Sequence, residues 1–98
     1  MKYRLIIRPE AEADLSQAYD WYESQLTGLG SEFLLVVEAA LAAVQRNPKQ
    51  YQVIYRRIRR ALTRRFPFGI FYLIRRNTII VLGVLHASRD PQVWQERL

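Results

Sequence analysis

An α+β fold is what the sequence predicts, with a helical hairpin packed on a largely antiparallel sheet in the order β-α-α-β-β-β-(α). Three observations predict it. Residues Tyr3 to Arg8 alternate apolar and polar with the period of a half-buried strand, two helix-period stripes follow between Pro9 and Arg46, and Ile58 to His86 reads as consecutive strands. Helices gathered in one half and strands in the other give the segregated arrangement of an α+β domain rather than alternating βα units. A single domain over residues 1–98 is expected, since a chain of this length supports one compact core, and half of its residues are apolar.

The first strand alternates Tyr3, Leu5 and Ile7 against Arg4, Ile6 and Arg8. Pro9 suits the first turn of a helix, where its missing N–H costs nothing, and Glu10, Glu12 and Asp14 place negative charge near the positive end of the helix dipole. Ala11, Leu15, Ala18, Tyr19, Tyr22 and Leu26 fall on one helical stripe. Thr27-Gly28-Leu29-Gly30 ends that helix, and Ser31 is the expected N-cap of a second one from Glu32 to Arg46. In the second helix Phe33, Leu34, Val37, Leu41 and Val44 make the stripe, while Ala39, Ala40, Ala42 and Ala43 leave room for a close helix neighbour. The short turn between the two predicts an antiparallel hairpin.

Asn47-Pro48 stops the second helix, and Lys49 to Ile58 reads as a loop leading into a strand. Ile58 to Arg65 is then a basic strand. Phe68 to Arg75 is apolar on both faces, with Phe68, Ile70, Tyr72 and Ile74 on one and Phe71 and Leu73 on the other, as a covered interior strand would be. Arg76-Asn77 turns the chain into Thr78 to His86, so these two strands form the central hairpin, with Tyr72 and Leu82 expected to face the helices. Asp90 and Pro91 are suited to N-cap and open a terminal helical turn containing Trp94.

Composition excludes several classes of function. There is no cysteine, hence no disulfide framework and no thiolate metal site, and His86 is the only histidine, so neither a metal nor another cofactor is expected. The longest apolar run near the N-terminus is Leu5 to Ile7, and nowhere do the roughly 18 apolar residues of a membrane span occur together. A soluble, unexported, cytoplasmic protein is expected, with no membrane partner.

The net charge of +6 is unevenly held. Residues 1–47 carry four basic and seven acidic side chains, net −3, and residues 48–98 carry eleven basic and two acidic, net +9. Arginine makes up thirteen of the fifteen cations, and its planar fork suits bidentate contact with carboxylate or phosphate. The six arginines Arg56, Arg57, Arg59, Arg60, Arg64 and Arg65 therefore form a candidate binding surface for an acidic protein or a nucleic acid. Trp21, off the buried stripe of the first helix, is a further candidate contact. His86 and Arg89 are the obvious chemical candidates, since imidazole titrates near neutrality and guanidinium can stabilise a developing phosphorane. The simpler account makes His86 a rim residue and Arg89-Asp90-Pro91 a turn.

Several segments, in this order, resemble one family. They are Ala13-Asp14-Leu15 with the later Tyr22, Asn47-Pro48, Arg65-Phe66-Pro67-Phe68 leading to Phe71-Tyr72, and Val84-Leu85-His86-Ala87-Ser88-Arg89-Asp90-Pro91 with Trp94. Together they resemble the ParE/RelE toxins of bacterial toxin–antitoxin (plasmid stabilisation) systems. The resemblance implies a β-α-α-β-β-β scaffold and neutralisation by a cognate acidic antitoxin encoded by an adjacent gene. RelE-like members cut messenger RNA in the ribosome, whereas ParE-like members poison DNA gyrase without known cleavage chemistry.

Where the resemblance implies a catalytic arginine for the ribonuclease branch this chain has Gly69, and where it implies a tyrosine the chain has Trp94, whose indole has no hydroxyl to exchange. General acid–base help is worth about 10²–10⁴-fold, so those losses point to the ParE-like branch, acting on DNA gyrase by binding. No catalytic residue is then expected. The alternatives are a ribosome-dependent endoribonuclease using His86 with Arg65 or Arg89, and an inactive member that retains antitoxin binding.

Overall fold

A computed structural model of the chain describes residues 2–98. The elements run β1 (Arg4–Ile7), α1 (Pro9–Gln25), α2 (Leu29–Arg46), a 3-10 turn (Pro48–Gln50), β2 (Val53–Tyr55), β3 (Ile58–Leu62), β4 (Phe68–Arg75), β5 (Thr78–His86) and α3 (Pro91–Gln95). The five strands form one sheet in the order β1-β5-β4-β3-β2, antiparallel except for the parallel pairing of β1 with β5. The helical hairpin covers one face, and the short α3 covers part of the other.

Within Lys49 to Ile58, where a loop leading into a strand is expected, Tyr51, Val53 and Tyr55 alternate until Arg56 and Arg57 interrupt, and Val53–Tyr55 is in fact a strand. Arg56 and Arg57 look like an interruption because they are the turn between β2 and β3, with Arg56 at a φ of 51°. The basic strand also ends early, at Leu62 instead of Arg65. There the Thr63 amide donates to the Phe68 carbonyl at 2.9 Å and the Thr63 hydroxyl donates to the Phe66 carbonyl at 2.6 Å, closing a loop in which Arg65 has a φ of 69°.

The second helix begins at Leu29, before the expected Ser31 cap. Gly28, at a φ of 92°, takes the left-handed turn that a side chain would strain. The Glu23 carboxylate then accepts the amides of Gly28 and Gly30 at 2.9 and 3.0 Å, so a residue from the preceding helix satisfies donors that a local serine would otherwise cap. Ending α1 at Gln25 leaves Leu26 exposed instead of on the buried stripe. Of the alanines, Ala40 packs on the core, but Ala39 and Ala42 face solvent, so they do not serve a helix contact.

On the helix side, Phe33, Val37 and Val44 of α2 and Ala11 and Ala18 of α1 meet Ile70, Tyr72, Ile79, Val81 and Val84. Each fully buried valine, isoleucine or phenylalanine among them contributes about 1.5–3 kcal/mol. Leu82 does not face the helices. The register passes from Phe71 opposite Gly83 to Tyr72 opposite Val81, so Leu82 is the extra residue of a bulge and turns to the other face. There it packs with Ile58, Phe71, Leu73, Leu85 and Trp94. The phenol of Tyr72 donates to the Pro48 carbonyl at 2.6 Å from the buried core, and burial pushes its pKa well above the usual 10.0.

Candidate functional site

The sheet divides the six arginines of the 56–65 stretch among four places. Arg56 and Arg57 lie at the β2–β3 turn, exposed, with the Arg56 guanidinium 5.3 Å from the Tyr55 ring centroid. Arg59 lies opposite Tyr72 on the helix side and is already engaged, donating to the carbonyls of Tyr51 at 2.6 Å and Lys49 at 3.2 Å. Arg60 lies opposite Phe71 on the other face, and its aliphatic stem crosses Gly69. Arg64 and Arg65 occupy the β3–β4 loop, where Arg65 pairs with Glu32 at 2.6 Å and lies 5.0 Å from the Phe66 ring centroid. The stretch is therefore not one surface.

His86 ends β5 opposite Phe68, with the two rings 5.7 Å apart. Its Nδ1 accepts the Ser88 amide at 3.1 Å, so the neutral ring carries its proton on Nε2. His86 and Arg89 border one shallow cleft of about 180 Å³ together with Gln17 and Asp14. Arg65 is not among the residues lining it. Asp14 is fully committed: both of its oxygens receive the Arg97 guanidinium, at 2.6 and 3.2 Å, and one also accepts the Val84 amide at 3.0 Å. Its role is to tie α1 to β5 and the C-terminal segment, not to complement the helix dipole as the sequence suggested. Gly83 makes room for this pair, since a Cβ there would lie 2.8 Å from the Arg97 guanidinium.

Gly69 and Trp94 lie on the opposite face of the sheet from His86. Trp94 stacks on Phe71 with centroids 4.7 Å apart and planes 18° apart, and meets Tyr55 edge-on at 6.0 Å. Gly69 is buried beside the same Phe71, under the Arg60 stem. Both positions are filled by packing.

Residues 5–91 match the family described as the ParE toxin of type II toxin-antitoxin systems, parDE. The chain belongs to the ParE toxin family. Its fold is similar to that of a solved chain titled "Chromosomal ParDE TA system from P. aeruginosa", with a TM-score of 0.78 at 18% identity, covering 86% of this chain and 95% of that one. No curated protein sequence matches the chain.

In this ParE-family chain the exposed apolar surface lies mainly on and beside the helical hairpin. Trp21 is 59% exposed, its ring edge-on to Tyr22 at 5.1 Å. One apolar groove of about 390 Å³ runs between Leu15, Tyr19 and Leu34, and a second of about 290 Å³ lies between Val36, Ala39, Ala43, Tyr51 and Leu62, bordered by Arg64. Sequence reasoning missed these grooves because each is assembled from residues far apart in the chain. It missed Arg97 for the same reason, since its partner is 83 residues away. Among the described residues no helix is long and apolar enough to cross a membrane, and no three His, Cys, Asp or Glu side chains gather as metal ligands would.

Proposed function

We propose that this ParE-family chain is a cytoplasmic toxin that inhibits DNA gyrase by binding, without covalent chemistry, and that an acidic antitoxin neutralises it. The observation that carries this reading is the dispersal of the chain's candidate chemical groups over the fold. Trp94 and Gly69 are packed against Phe71 on one face, His86 and Arg89 border a cleft on the other, and Arg65 is paired with Glu32 elsewhere. General acid–base catalysis needs its groups within hydrogen-bond reach of one reacting atom. The ribonuclease reading retains only His86 with Arg89, which do share a cleft.

For the antitoxin, the groove bordered by Arg64 and the exposed Trp21 offer apolar anchors beside positive charge. An acidic segment that orders on binding would find both there. Arg59 contributes less than the sequence suggests, because backbone carbonyls already hold it. The experiment is a gyrase supercoiling assay run beside a reconstituted translation assay with the purified chain. Inhibited supercoiling with uncut ribosome-bound messenger, reversed by the antitoxin from the adjacent gene, is expected. Messenger cleavage with supercoiling unaffected would replace this reading with the ribonuclease one.

A further inference from the structure

One end of the sheet gathers cations that the sequence scatters. β1 begins there at Arg4, whose amide donates to the Asn77 carbonyl at 2.8 Å and which pairs in register with Thr78. The β4–β5 turn brings Arg75 and Arg76 to the same place, and these side chains border a cleft of about 450 Å³ with Asn77 and Thr78. The β2–β3 turn, with Arg56 and Arg57, projects from the same end, because β3 pairs with β4 so that Arg59 is opposite Tyr72 and the turn lies toward Arg75. All five arginines are exposed. Among the described residues none of the five takes part in an ion pair, and the sequence has no acidic residue from 39 to 89.

The turns themselves do not account for these arginines. Arg56 and Arg76 have φ values of 51° and 58°, in the left-handed region where glycine or asparagine costs least. A third arginine at positive φ, Arg65 at 69°, lies at the other end and is paired with Glu32, whereas Arg56 and Arg76 keep long cations in strained turns with no carboxylate beside them.

We propose that this end of the sheet docks on the phosphate backbone of duplex DNA. Five strands at roughly 4.8 Å spacing set the arginine-bearing segments across about 19 Å. That length exceeds the roughly 12 Å width of the B-DNA major groove, so the row can reach phosphates on both of its banks. Asn77 and Thr78 add neutral donors between the cations. Unpaired bases would call for an exposed stacking aromatic, and the exposed Trp21 lies on α1 beside Tyr22, which packs on Phe66 and Phe68 toward the opposite end. An acidic protein would call for a deep apolar seat at the centre of the contact, whereas the apolar part of this cleft is only Ile6 and Ile80, with Arg4, Arg75, Arg76, Asn77 and Thr78 around them. The surface is distinct from the Arg64 groove and does not depend on which target the toxin has.

Fluorescence anisotropy with a labelled duplex of about 20 base pairs and mixed sequence, between about 50 and 200 mM salt, tests this. Binding is expected with a log–log salt slope of about −3 to −4, at roughly −0.9 per phosphate engaged. Arg75→Ala with Arg76→Ala is expected to weaken binding about tenfold and flatten the slope by about two, whereas Arg64→Ala with Arg65→Ala leaves both unchanged. Arg76→Gly is expected to weaken binding while keeping or raising the melting temperature, which separates lost contact from lost fold. The proposal is overturned by absence of binding at the lowest salt or by equal losses from the two arginine pairs. It is equally overturned if single strands, or a polyglutamate peptide of matched charge, bind more tightly than the duplex.

Discussion

Both faces of the sheet are apolar, but they are buried by different means. The helix-covered face is filled from two long helices, so Phe33, Val37, Val44, Ala11 and Ala18 share the contact with Tyr72, Ile70 and Val81. The opposite face has only the five-residue α3, and Trp94 provides its largest cover over Phe71, Leu73, Leu82 and Leu85. Protection that is distributed on one side is concentrated in a single indole on the other. The position where the resemblance implies a catalytic phenol is therefore occupied by a side chain that packs on Phe71. Asp90 supports it by capping α3, its carboxylate accepting the Gln92 amide at 3.0 Å.

This contrast can be broken most directly at Trp94. Trp94→Ala is expected to cost about 3–5 kcal/mol in a denaturant melt, a large share of the stability of a small domain. A loss no greater than that of a surface substitution would mean that α3 does not protect this face. Next in size is Asp14→Ala, which leaves the Arg97 guanidinium and the Val84 amide without their carboxylate. A loss of about 3 kcal/mol is expected, at the low end for a broken buried pair because Arg97 keeps some contact with water. If Asp14→Ala and Arg97→Ala are additive in a double-mutant cycle, the pair does not act as a unit.

The smallest effect belongs to the helix-covered face, where other contacts share the load. Tyr72→Phe removes one hydrogen bond to the Pro48 carbonyl and is expected to cost about 1–2 kcal/mol. The pH dependence has a definite sign. Burial raises the Tyr72 pKa above the unfolded value of 10.0, so the neutral phenol's contribution is complete below about pH 10 and is lost as the pH climbs toward the folded value. Alkaline titration of the melting temperature should show a steeper fall above pH 10 in the parent than in Tyr72→Phe. Identical alkaline limbs would contradict the assignment.

Much of this was legible in the chain. The alternation of Phe68, Ile70, Tyr72 and Ile74 against Phe71 and Leu73 reports the two faces of β4 correctly, because a regular strand exchanges faces at every residue. The same rule fails in β5, where a bulge at Leu82 shifts the alternation; with both faces apolar, no polar residue marks the slip. Asp90, Pro91 and Trp94 were readable as cap, first turn and helix because those signals are local. The candidate site was much less readable. Six arginines close in sequence suggested one patch, yet a hairpin turn and a loop send them to both ends and both faces of the sheet, while Arg4, Arg75 and Arg76 join Arg56 and Arg57 only through strand order. Pairing across 83 residues, as in Asp14 with Arg97, has no local signature.

The proposed action of this ParE-family chain by binding is tested most directly with His86→Ala. Parent and variant are compared for supercoiling inhibition, messenger cleavage during translation, and stability. The expected result is supercoiling inhibition within about twofold of the parent, no cleavage by either protein, and only a small stability change from losing the Ser88 and Phe68 contacts. Cleavage by the parent that falls about 10²–10⁴-fold in a folded, antitoxin-binding His86→Ala variant would contradict the claim and make the imidazole an acid or base.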